Sequence, residues 1–148
     1  MKKNNLINES DLPSGAKRLL EYTDGYHLNC KSMKLISVDN KLAVWEVEVN
    51  DETTNPFGAL HGGIQFTLAD NAAGSTMACH GFRSVTLNSS INYIKPATKG
   101  KVFAMPSIVH MGRSTCVMDV NLVDEQDNTI SKVSITMFIL GSIDDFKE

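Results

Sequence analysis

From Gly62 to His80 the chain runs without a lysine, an arginine or a glutamate. The segment is rich in Ala, Leu and Met, and Ile64/Leu68 and Ala69/Ala73/Met77 stack at four-residue intervals, which predicts a helix. A helix with no charged face is not a surface helix and has to be wrapped by protein on most sides. Ala72, Ala73, Gly74 and Ala78 are small enough to let a sheet or a second helix approach closely. The rest of the fold must therefore be built round this one element.

The segments on either side of it read mostly as strands. Ahead of it, His27 to Val38 and Lys41 to Val49 favour strands separated by Asp39-Asn40, which suits a tight turn. In the second of these, Ala43, Trp45, Val47 and Val49 alternate with Glu46 and Glu48, the mark of a strand with one buried face. Residues 50 to 59 are a polar loop with turn signals at Asn55-Pro56 and Gly58. Beyond the helix, Val85, Leu87, Ile91 and Tyr93 alternate with Thr86, Asn88, Ser90 and Asn92, and three more strands are expected at Lys101 to Met111, Ser114 to Val123 and Thr129 to Leu140. Pro106 inside one of them suggests an edge position or a bulge. Ser10-Asp11-Leu12-Pro13 offers a cap and an early proline for a short N-terminal helix through Glu21, ended by Gly25, while residues 1 to 9 are polar and expected to be loose. The order predicts an α+β domain over residues 10 to 148, a curved antiparallel sheet of about six strands round one long helix.

Charge and composition narrow the partners. At 148 residues the chain suits one domain, and a net charge of −3 with 14 scattered Lys and Arg argues against nucleic-acid binding. There is no apolar run of signal-peptide or membrane-span length, so a cytoplasmic protein that does not enter the membrane is expected. Cys30, Cys79 and Cys116 lack metal or redox spacing and read as reduced core residues.

Chemistry concentrates where the helix begins. Asp70 is the sole acid between Glu52 and Asp119, and a carboxylate placed alone in an apolar region costs free energy unless something pairs with it. It is either a working acid or the partner of Arg83 or Lys95. Gly62 and Gly63 let the backbone approach a ligand, and the unpaired N–H groups of a helix start can hold a phosphate or a developing oxyanion. Asp70 lies eight residues beyond Gly62, about 12 Å along a helix at ~1.5 Å per residue, so the two cannot touch one carbonyl group. If they share a site, it is formed by two chains related by a twofold axis. His61 can contact substrate or fix the loop, with the second reading favoured, and Asn55 is equally ambiguous. Thr86 sits on the polar side of its strand, within possible reach of Asp70 or only solvated. Gly112-Arg113-Ser114 is a hairpin turn whose Arg can also grip a phosphate. His27, His80 and His110 show no metal spacing, and Cys79-His80 are neighbours on a helix that point apart.

With these residues in view, the chain resembles the hotdog-fold acyl-CoA thioesterases of the PaaI-like, phenylacetate-pathway type over roughly residues 12 to 140. The specific part is Asn55-Pro56-x-Gly58-x-Leu60-His61-Gly62-Gly63 followed by Thr67-Leu68-Ala69-Asp70, supported by Tyr93-x-x-Pro96-Ala97-x-x-Gly100 and Gly112-Arg113-Ser114. The resemblance implies hydrolysis of an acyl-CoA to free acid and CoA without a metal or other cofactor, coenzyme A being part of the substrate. It places Asp70 as general base or nucleophile, the Gly62 N–H in the oxyanion hole, and Asn55 and His61 in flanking polar places. Thr86 would help to set the acid or the water. Gly63, Arg113 and Ser114 would meet substrate, with Arg113 and Lys95, Lys99 or Lys101 near the CoA phosphates. Phe57, Phe66, Met77 and Phe82 are candidates to line the acyl pocket. Relatives are dimers with shared active sites, commonly paired into tetramers. Two rival readings stand beside this one. A hotdog hydratase or dehydratase would use a His with an acid, and a non-catalytic acyl-CoA-binding module would not depend on Asp70.

Overall fold

The computed structural model describes residues 11–23 and 30–145. The expected loose N-terminus at residues 1 to 9, the helix stop at Gly25 and the strand start at His27 lie outside the described residues. Helix α1 spans Ser14–Thr23, strands β1 and β2 span Met33–Val38 and Ala43–Glu48, and helix α2 spans Gly62–Cys79. Strands β3 to β6 span Phe82–Tyr93, Lys101–Met111, Thr115–Asp124 and Thr129–Ser142. They form one antiparallel sheet in the order β1-β2-β4-β5-β6-β3.

The helix takes the central place its composition requires. Leu68, Ala69, Ala72, Ala73 and Met77 are fully buried against Trp45, Val47, Val102, Met118, Val120, Leu122 and Ile135 from the concave face of the sheet. Two side chains fasten β2 to it: Thr76 Oγ1 accepts the Ala43 N–H at 3.1 Å, and the Trp45 Nε1–H donates to Ser75 Oγ at 3.0 Å. Helix α1 packs on the last turn of α2, where Gly15 is obligatory because a Cβ there would fall 1.9 Å from the Ala78 carbonyl oxygen. The turn before β2 closes over Asp39–Leu42, with the Asp39 carboxylate accepting the Lys41 and Leu42 N–H groups at 2.7 Å each.

Pro106 behaves as its missing N–H demands. The β2–β4 ladder ends at Trp45 and Ala104, so Pro106 lies where β4 is paired on one side, to Val120 of β5. Strand β3 departs from the sequence pattern. It forms an edge of the sheet, and its register against β6 slips between Thr86 and Asn88, leaving Leu87 as the extra residue of a bulge. A bulge reverses the parity of the strand residues beyond it. Thr86, paired with the buried Met137, therefore faces α2 together with Ile91 and Tyr93 and hydrogen-bonds Asp70 while remaining exposed. Val85 and Leu87, two apolar members of the alternation, are 49% and 60% exposed.

Candidate active site

The first turn of α2 is assembled by its own loop. Asn55 Oδ1 accepts the N–H groups of Phe57 and Ala59 at 3.0 and 3.2 Å, and Gly58 completes the turn at φ +78°, a conformation that favours glycine. His61 is the N-cap. Its Nδ1 accepts the Gly63 N–H at 2.9 Å, which is the loop-fixing role favoured from the sequence. The Gly62 N–H has no acceptor among the described residues and lines a cleft of about 400 Å³ shared with Asn55, Gln65, Tyr93, Lys95 and Pro96. Room beside Gly62 is limited by the Tyr93 side chain, and the φ of Gly62 is not positive. Tyr93 Oη donates to its carbonyl at 3.0 Å, and a Cβ at Gly62 would fall 2.9 Å from that oxygen and 3.0 Å from Cζ.

Sequence reasoning gave no role to Gln65 and Ser131, which tie this end together. Gln65, 5% exposed, donates Nε2–H to the Leu60 carbonyl at 2.9 Å and accepts from Ser131 Oγ. The signal was present: Gln65 is a long polar side chain in a helix without Lys, Arg or Glu, and Ser131 interrupts the inward apolar positions of β6. The Leu60 N–H donates to the Ala97 carbonyl at 2.8 Å, so the Tyr93-to-Ala97 stretch braces the helix start from the other side.

The acid stands in a different cleft. Thr86 Oγ1 donates to Asp70 Oδ1 at 2.5 Å, and both line a depression of about 420 Å³ with Trp45, Asn71, Gly74, Ser75 and Ser84. Lys95, one of the two cations considered as a partner for the acid, lies in the Gly62 cleft. The other, Arg83, donates Nε–H to the Ser142 carbonyl at 3.2 Å. Both clefts sit on α2, with about 12 Å of helix between Gly62 and Asp70.

Other expected contacts separate. Arg113 and Ser114 form the exposed β4–β5 hairpin, where the Ser114 carbonyl accepts from Ile139, the partner of Ser84. That places them toward the Asp70 cleft. Lys101 begins β4 and Arg113 lies just past its far end, roughly 30 Å away at ~3.3 Å per residue, so the basic residues do not form one patch within a chain. Lys101 is also engaged by Glu46 at 2.7 Å, and this carboxylate raises its pKa. Phe57 is 92% exposed, turned outward by the Asn55 loop, and Met77 is fully buried in the core; neither lines the two clefts. Phe66 is half-buried on α2, and Phe82 packs against the core. Cys79 is no nucleophile: burial, aided by the Asp39 charge, pushes its thiol up to about 12, while the ring Nε2 of His80 is hydrogen-bonded to the Lys41 carbonyl at 2.9 Å. No helix among the described residues is long and apolar enough to cross a membrane.

A curved antiparallel sheet wrapped round one helix defines a hotdog protein. The thioesterase superfamily model matches residues 57–131, and the chain belongs to that family as a PaaI-like thioester hydrolase. The 1,4-dihydroxy-2-naphthoyl-CoA hydrolase of Listeria monocytogenes is 31% identical, covering 66% of this chain and 82% of the relative. Acyl-coenzyme A thioesterase PaaI of Escherichia coli is 30% identical over 66% of this chain and 70% of the relative. A thioesterase from Streptococcus pneumoniae, solved with coenzyme A, superposes with a TM-score of 0.72 at 32% identity over 76% of this chain and 89% of its own. That protein has also been solved with an aspartate and with a threonine replaced by alanine, 16 residues apart, the separation of Asp70 and Thr86.

Proposed function

We propose that the protein hydrolyses an acyl-CoA thioester to the free acid and CoA in a site made by two copies of the chain. The observation that carries this reading is the Thr86–Asp70 hydrogen bond in one cleft and the unpartnered Gly62 N–H in another, one helix turned to two tasks that it cannot perform together in one chain. The coenzyme A bound to the Streptococcus relative supports the substrate class.

In the twofold pairing, the Gly62 end of one α2 faces Asp70 of its partner. The thioester oxygen lies at the Gly62 N–H, whose attraction for that oxygen strengthens as negative charge develops on it. Thr86 orients the Asp70 carboxylate. Asp70 removes a proton from water, which attacks the carbonyl carbon, or attacks that carbon itself and is freed by water in a second step. Collapse of the tetrahedral intermediate breaks the C–S bond, and the CoA thiolate leaves and takes up a proton. Asn55 and His61 shape the helix start, and Gly63 keeps the backbone open to substrate. Arg113 of one chain with Lys95 or Lys99 of the other would meet the CoA phosphates, since no single chain brings them together. The exposed apolar residues of the β3–β6 edge, Val85, Leu87 and Phe138, suit burial between copies, as a dimer that pairs further into a tetramer in the cytoplasm.

A thiol-release assay over aromatic and aliphatic acyl-CoAs tests the reading. Asp70→Asn is expected to lower kcat by about 10²–10⁴-fold with little change in KM. Retention of wild-type turnover by Asp70→Asn would remove the acid from the mechanism, and absence of activity with bound CoA would favour a binding module.

A further inference from the structure

Helix α2 carries a glycine in its interior, Gly74, that the packing of the chain does not require. A Cβ added there would meet nothing within 4 Å, and its φ is not positive. Glycine is the costly choice in a helix, since alanine holds the backbone better. Gly15 shows the opposite case, where the neighbouring Ala78 carbonyl leaves no room. The space at Gly74 is held open for something other than this chain.

Its surroundings say what. Gly74 lies one turn beyond Asp70 on the same face of α2, and both line the cleft of about 420 Å³, a volume typical of sites for small organic groups. Trp45 stands at the level of Ser75, to which its Nε1–H donates. Leu19 lies one turn from Gly15 along α1 and lines the same cleft, so the packing of α1 on α2 sets it there. A group entering past Asp70 travels about 6 Å, one turn of helix, before reaching the level of these two side chains.

We infer that the cleft over Gly74 is the acyl slot, closed at its far end by Trp45 and Leu19, and that it selects compact acyl groups, a single ring or a chain of a few carbons, over long aliphatic chains. This inference rests on Asp70 acting at the thioester carbonyl. Gly74 sets the width of the slot and Leu19 its depth.

The test compares kcat/KM for acetyl-, hexanoyl-, benzoyl- and palmitoyl-CoA in wild type, Gly74→Ala, Gly74→Val and Leu19→Ala, with melting temperature and light scattering for each. Wild type is expected to favour hexanoyl- and benzoyl- over palmitoyl-CoA by about tenfold or more. Gly74→Val lowers the benzoyl-to-acetyl ratio by about tenfold, and Leu19→Ala raises the palmitoyl-to-benzoyl ratio by a similar factor. Gly74→Ala melts no lower than wild type and keeps its assembly. Equal changes for every acyl group in an active enzyme overturn the slot alone. A change of assembly in Gly74→Ala makes the glycine an interface residue and also overturns it. A wild type inert to the whole panel overturns the thioesterase reading, and the slot with it.

Discussion

The start of α2 and the carboxylate at its middle are held in different ways. The Gly62 end is over-determined by short-range bonds: His61 caps it, Asn55 ties its loop, Gln65 holds the Leu60 carbonyl, and Tyr93 clamps Gly62 from above. At mid-helix the Asp70 carboxylate takes one hydrogen bond among the described residues, from Thr86, which reaches it because β3 carries a bulge at Leu87. On the proposed mechanism the bracing of the helix start fixes the Gly62 N–H where charge develops. Substitutions at the first should therefore disturb structure and catalysis together, and those at the second should disturb catalysis alone.

Gly62→Ala should show the largest combined effect. The added methyl meets the Tyr93 ring, so we expect a stability loss of about 1–3 kcal/mol and a kcat fall of about 10²-fold or more, read by denaturant melts and thiol release. Unchanged melting would mean that Tyr93 does not press on the helix start. Thr86→Val, beside Asp70, should lower kcat by roughly tenfold with the melting temperature nearly unchanged, and Thr86→Ser should restore most of the activity. Equal activity of the Val and Ser variants would show that the hydroxyl has no part in setting the acid. Tyr93→Phe removes one hydrogen bond and keeps the ring, so a smaller loss, about 1 kcal/mol of stability, is expected.

The smallest effect lies outside the comparison and calibrates it. Cys79 has a folded pKa raised from 9.0 to about 12, so the stability from burying its neutral thiol is fully present below about pH 9 and is lost as pH rises toward about 12. Cys79→Ala should flatten the alkaline limb of stability against pH and leave activity at neutral pH intact.

Much of this was legible in the sequence. The uncharged run from Gly62 to His80 demanded a wrapped helix, and the helix starts and ends within a residue of that run. The Gly62-to-Asp70 spacing calls for two chains if the two residues share a site, and the structure keeps them in separate clefts of one chain. Thr86 was harder, because strand parity was read from β3 by itself, whereas the bulge that reverses it exists only against β6. Phe57 looked like a pocket aromatic by proximity to the glycines, but its direction is set by Asn55 hydrogen bonds that composition does not reveal. Gln65 and Ser131 lie 66 residues apart, and their pairing needed the fold.

The shared site is the central claim, and mixing inactive chains tests it most directly. Asp70→Asn and folded Gly62→Ala chains, each nearly inactive alone, are unfolded together and refolded as a mixture. If one site takes its acid from one chain and its helix start from the other, half of the dimers are mixed and each of these carries one intact site. Activity should then rise to roughly a quarter of wild type. A mixture no more active than its two components would contradict the account.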